Sequence, residues 1–162
     1  MNEPVVVEIE VAAPTEVVWA FLTDPDELVR WLGVAATLEV HPGGTFRFEL
    51  FEGQFCSGRY VEVVPYRRVV FTWGWEDQAI PVPPGSTTVA IDLEPRLDQR
   101  TLVRLTHAGL DWAMRPLHAD GWSRYLERLT AVAEGRTPPD DPSRAYQGAR
   151  AVPNPLAERR QP

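Results

Sequence analysis

The order in which the hydrophobic period changes along the chain limits its fold more than any other feature. Val5, Val7, Ile9 and Val11 alternate with Val6, Glu8 and Glu10, which predicts a half-buried strand with one charged face. Pro14 closes that strand and suits the first turn of a helix, and Val18, Phe21 and Leu22, with Trp19 beside them, recur at helical spacing up to Thr23. Asp24-Pro25-Asp26-Glu27 then places a capping aspartate, a proline at the first helical position and a glutamate at the capping-box position, opening a short helix toward Leu28, Trp31 and Leu32. After this the period becomes two. Leu38 and Val40, then Phe46, Phe48 and Leu50, then Phe55 to Val64, then Val69, Phe71 and Trp73 read as strands separated by glycine- and proline-containing turns. Residues 75–86 hold three Pro and one Gly and read as an irregular loop. Two further strands run from Thr87 to Glu94 and from Thr101 to His107. From Pro116 to Glu134, Trp122, Leu126, Leu129 and Ala133 fall at i, i+4, i+7 and i+11, an amphipathic helix long enough to cross most of a sheet.

One strand, two short helices, six strands and one long helix predict an α+β fold: a curved seven-stranded antiparallel sheet wrapped around a long C-terminal helix. A single helix does not cover the whole concave face of so wide a twisted sheet, so an internal cavity is expected between the two. The 162 residues suit one domain. Residues 1–135 carry all the periodicity, whereas 136–162 hold six Pro, five Arg and three acids and read as a tail, flexible or draped over the domain. The formal charge of −7 therefore divides into −9 on the body and +2 on the tail.

That acidity argues against nucleic acid as a partner. The chain contains no Lys, which excludes Schiff-base chemistry and a P-loop lysine. Cys56 is the one cysteine and cannot form an internal disulfide; it reads as a small buried hydrophobe. With neither a secretory signal nor ~20 consecutive apolar residues, a cytoplasmic protein is expected. CxxC, HxxxH and HExxH patterns, a nucleophile elbow and a dinucleotide fingerprint are all missing, so neither a metal nor a cofactor nor a catalytic residue is expected.

Aromatic residues carry more information. Phe46, Phe48, Phe71, Trp73, Trp31, Trp122 and Tyr125 lie on elements that would enclose the space between sheet and helix, and small-molecule pockets are mostly apolar with a few polar groups. Each also suits plain core packing. Trp31 and Trp75, next to loops, are expected partly exposed at the pocket entrance, and Tyr60 and Tyr125 are possible sources of an orienting hydroxyl. His107 ends a strand on its apolar face and His118 precedes Trp122 by one helical turn; both could look into the same space. For His107 a hydrogen-bonded structural anchor is favoured over an acid–base role. His118 is open between a rim contact and plain surface. The expected ligand set is thus Trp31, Phe46, Phe48, Phe71, Trp73, His107, His118, Trp122 and Tyr125.

The runs APTEVVWAFLTDPDELVRWLG, HPGGTFRFE, GRYVEVVPYRRVVFTWGWE, VPPGSTTVAIDLEP, LVRLTHAGL and HADGWSRYLERLTAVAEG resemble, in order and spacing, bacterial homologues of the heat-shock protein 90 ATPase activator. These form a branch of the START-like (SRPBCC, birch-pollen-allergen-like) superfamily. The resemblance covers about residues 3–135 and implies a helix-grip fold with a cavity. It implies as function the binding, carriage or sequestration of a small hydrophobic molecule, aromatic or lipid-like. The alternatives are a polyketide cyclase- or aromatase-like enzyme, and a homodimer or partner interaction module with a cochaperone-like or stress-response role. Val18-Trp19, Thr23-Asp24-Pro25, Trp31, Gly43-Gly44, Pro65, Trp73, His107 and Gly121-Trp122 match the branch pattern as fold determinants. Asp111-Trp112-Ala113-Met114-Arg115 departs from it and adds apolar surface beside the expected cavity mouth. Chaperone activation is not expected, because the eukaryotic activator has an additional N-terminal domain.

Overall fold

A computed structural model describes residues 3–143. Residues 144–162, most of the expected tail, lie outside the described residues. The chain runs β1 (Val5–Val11), α1 (Thr15–Thr23), α2 (Pro25–Leu28), β2 (Ala35–Leu38), β3 (Thr45–Phe51), β4 (Gln54–Val64), β5 (Arg68–Trp73), β6 (Thr87–Arg96), β7 (Arg100–Ala108) and α3 (Arg115–Ala133). The strands form one sheet of seven in the order β1-β7-β6-β5-β4-β3-β2, and every neighbouring pair is antiparallel. β2 to β7 are therefore a meander in chain order. β1 closes it by pairing with β7, while α1 and α2 carry the chain from one edge of the sheet to the other. No described helix is long and apolar enough to cross a membrane.

The expected periods set these elements. Along β6, Thr87, Val89, Ile91 and Leu93 are buried and the residues between them are not. The Asp24 carboxylate caps α2 by accepting the Asp26 N–H at 2.9 Å, and Glu27 pairs with Arg30 rather than closing a capping box. Register shifts between Glu49 and Phe51 and between Tyr60 and Glu62 interrupt the ladders of β3–β4 and β4–β5. Such bulges bend a strand and raise its local twist, and α3 packs on one side of the sheet. On that side Leu126 and Leu129 are fully buried together with Val89, Val103 and Leu105 from the sheet. The end of α3 is tied down where the Glu134 carboxylate accepts the Ala12 N–H at 2.8 Å. Trp19, beside the buried Val18, is only partly buried and rests against Tyr66, ring centroids 6.1 Å apart.

The other face of the sheet carries a ladder of alternating charge across five strands. Glu8 on β1 pairs with Arg104 on β7, which lies opposite Asp92 on β6; Asp92 takes both oxygens to Arg68 on β5, and Arg68 reaches Glu62 on β4. An open groove of about 310 Å³ runs along this ladder between Arg67, Arg68, Asp92 and Arg104, on the face opposite α3.

Gly74 ends β5 at a point where the loop 75–86 doubles back over it. A Cβ there would stand 1.9 Å from the Pro83 carbonyl oxygen. The loop is held by the Trp75 N–H to the Val82 carbonyl at 2.6 Å. Gly74→Ala is expected to push the loop away and cost about 1–3 kcal/mol, read as a lower urea midpoint.

Candidate functional site

Alternation on the inner face of the sheet places Phe46 and Phe48 from β3, Tyr60 from β4, Phe71 and Trp73 from β5 and His107 from β7 toward α3. The buried face of α3 returns His118, Trp122 and Tyr125. All these side chains are buried. Phe46 stacks on Phe71 with centroids 3.9 Å apart, and Tyr60 meets both rings edge-on. Trp73 is the hub: its ring touches Phe46, Phe48, Trp75, His107, His118 and Trp122, the last at 5.0 Å. Seven of the nine expected residues thus join one ring network, and the rings meet across the space between sheet and helix.

The other two expected residues sit at its margin. Tyr125 belongs to the same core, but its hydroxyl donates to the Asp141 carboxylate at 3.0 Å, so the segment after α3 already engages it. Trp31 is not at an entrance. It is 1% exposed, because its indole N–H donates to the Phe21 carbonyl at 2.8 Å and its own carbonyl accepts from Arg128. The expectation that Trp31 is partly exposed is therefore corrected: its indole nitrogen serves α1 and its apolar body fills the core. Residues 136–143 drape back over α3. Arg128 also donates to the Pro139 carbonyl, and Ser143 is buried.

The two buried histidines form a proton-ordered network. An indole N–H can only donate. Trp122 Nε1 donates to His107 Nδ1 at 3.0 Å, so the neutral His107 ring carries its proton on Nε2 and gives it to Thr87 Oγ1 at 2.9 Å. Thr87 in turn donates to the Trp73 carbonyl at 2.9 Å. Trp75 Nε1 likewise donates to His118 Nε2 at 3.1 Å, which puts the His118 proton on Nδ1, facing the Met114 carbonyl at 2.8 Å. Burial lowers the pKa of His107 from 6.5 to about 3, the nearby His118 adding to the shift. Burial lowers His118 as well, against the opposing pull of the Met114 carbonyl. Both rings are neutral and all four ring nitrogens are engaged, so His107 is an anchor and His118 is buried rather than a rim or surface residue. Thr87 and Trp75 were not foreseen in these roles. The signal for Thr87 was a hydroxyl at an inward position in line with Val89.

Trp73 Nε1 and the Tyr60 hydroxyl lack any partner among the described residues, as do Arg115 Nε at the start of α3 and Gln54 Oε1. Burial also raises the Tyr60 pKa, keeping its proton in place. Cys56, on β4 opposite Phe48, is buried with its thiol pKa pushed up by burial, so it stays protonated. Among the described residues no group of three or more His, Cys, Asp or Glu is placed to hold a metal ion.

Residues 12–134 match the family model described as Activator of Hsp90 ATPase homolog 1-like protein. The chain belongs to that family. A member of the activator family from Rhizobium etli, an AHSA1-like protein solved in solution, is 43% identical over 88% of this chain and 89% of that one, with a TM-score of 0.66. DynU16, a protein of the dynemicin biosynthetic locus, superposes with a TM-score of 0.73 at 23% identity over 87% of this chain. This chain spans about half, 51%, of the length of DynU16. The Aha1 dimer from Colwellia psychrerythraea gives a TM-score of 0.71 at 20% identity, covering 82% of this chain and 97% of that one. No curated protein matches. The seven-stranded antiparallel sheet around a long C-terminal helix that the periodicity predicts is the helix grip that the resemblance implies.

Proposed function

We propose that this chain binds a small, largely apolar molecule, aromatic or lipid-like, between the sheet and α3. The observation that carries the reading is the Trp73 indole N–H, buried at the hub of the ring network without an acceptor. A buried donor left unpaired costs about 1–3 kcal/mol, so the fold has reason to keep one only where something accepts its proton. The Tyr60 hydroxyl supplies a second unsatisfied group on the same inner face. A flat molecule bearing an acceptor oxygen would intercalate among rings already stacked edge-on and face-on.

Thermal denaturation against a panel of aromatic ketones and acids tests this. A probe at about one hundred times its Kd raises stability by about 2.7 kcal/mol. Trp73→Phe, which removes the N–H together with part of the indole ring, is expected to weaken the best probe about tenfold or more. If no probe shifts the melting temperature of the full chain, the reading fails.

A cyclase- or aromatase-like activity finds less support, since every nitrogen of His107 and His118 is occupied and neither is poised to move a proton. The interaction-module reading rests on Trp112, 76% exposed before α3, and Leu117, 40% exposed in its first turn. Light scattering of the full chain and of Trp112→Ala tests it: a dimer that Trp112→Ala converts to monomer supports self-association, and a monomeric wild type removes it.

A further inference from the structure

Among the described residues ten of the twelve arginines are engaged, Arg67, in the groove on the other face of the sheet, and Arg115 being the exceptions. Arg30, Arg47, Arg68, Arg96, Arg100, Arg104, Arg124 and Arg136 each pair with a carboxylate. Arg59 and Arg128 donate to backbone carbonyls. Arg115 makes no ion pair among the described residues, and its Nε is buried without a partner. It opens α3 and stands three residues before His118 and seven before Trp122, the spacing that puts side chains on one face of a helix. His118 and Trp122 are also the α3 residues whose rings meet Trp73, whose indole N–H is the other orphan donor. Arg115 is itself partly exposed, but its Nε is buried, so the start of α3 and the Trp73 indole below His118 and Trp122 each present a buried N–H with nothing to accept from it, the first on a permanently charged guanidinium.

Resting on the binding reading above, we infer that the ligand is an anion: an aromatic or otherwise flat apolar body carrying a carboxylate, with one oxygen taken by Arg115 and a polar oxygen within reach of the Trp73 N–H. No other group there competes for the role. The nitrogens of His107 and His118 are already paired, the rings around them carry no charge, and a chain without lysine has only arginine to offer a buried anion. A planar carboxylate also fits the fork of donors on a guanidinium better than a neutral carbonyl does. Trp112 and the apolar Leu117, exposed on either side of Arg115, would let the apolar body enter past the charge.

The test compares two probes of the same shape, 2-naphthoate and 2-acetonaphthone, by quenching of tryptophan emission in the full chain. Wild type is expected to bind the acid about ten- to a hundredfold more tightly than the ketone, the range for a charge-assisted hydrogen bond at a buried site. Arg115→Gln should remove that preference, weakening the acid far more than the ketone, while Arg115→Lys restores part of it. Trp73→Phe should weaken both probes. If wild type binds both equally and Arg115→Gln changes neither, the anionic ligand is ruled out while the binding site stands. If neither probe binds, the site reading itself fails and this inference with it.

Discussion

Acidification from pH 6.5 to 4.5 is expected to remove about 2–3 kcal/mol of stability through His107 alone. The folded protein holds this imidazole neutral down to about pH 3, whereas the unfolded chain protonates it near 6.5. In that window the unfolded state binds the extra proton, so stability present above pH 6.5 is lost as the pH falls. His118 shifts in the same direction and adds to the loss. The carboxylates whose pKa values are lowered, Glu76 by its hydrogen bond to Arg47 and Glu134 by that from Ala12, act the same way but only below their unfolded value of 4.5. A melting temperature that declines between pH 6.5 and 4.5 is therefore the histidine signature. His107→Gln, which can still accept or donate a hydrogen bond but does not titrate, should flatten it; a profile equally steep in that variant would refute the assignment.

Trp73→Ala is expected to cost about 3–5 kcal/mol, the range for emptying a large aromatic site in a packed core. Its ring bridges three strands and α3 through Phe46, Phe48, His107 and Trp122, so no single neighbour can collapse into the space. Trp73→Phe, which keeps one aromatic ring in the site and loses an indole N–H that donates to no described residue, should cost less, about 1–3 kcal/mol. Equilibrium urea unfolding of the two variants measures how much of the stability comes from one aromatic ring and how much from the full indole. A Phe variant as unstable as the Ala variant would mean that the site is filled only by the whole indole.

Elements whose signal lies within a dozen residues were readable from the sequence. The alternation in β3 and β6 and the i, i+4, i+7 spacing of Trp122, Leu126 and Leu129 each follow from the local period, and their order carries the topology. What escaped depends on register or on loops that fold back. The Trp75–His118 hydrogen bond joins residues 43 apart and needs the 75–86 loop to double over Gly74. Trp31 looked like an entrance residue because it stands next to a loop; its indole N–H is instead held by a carbonyl ten positions earlier that no hydrophobic pattern reveals. The charge ladder from Glu8 to Glu62 was equally hidden. Arg104 meets Glu8 and faces Asp92 only in the registers that β1, β7 and β6 adopt. The aromatic set was legible as a list, but its hydrogen-bond order was not, since that rests on which nitrogen faces which donor.

The ladder begins at β1, one of the two open edges of the sheet, and this bears on how copies of the protein behave at high concentration. An uncovered edge offers backbone groups to any passing strand, the first step toward fibres. Here one edge strand presents Glu8 and Glu10, each tethered to an arginine, and the other, β2, is only four residues long. A second chain adding to β1 would bring like charges face to face, and one adding to β2 would gain few backbone bonds. The paired charges that stiffen the convex face thus also act as a guard against strand-by-strand aggregation.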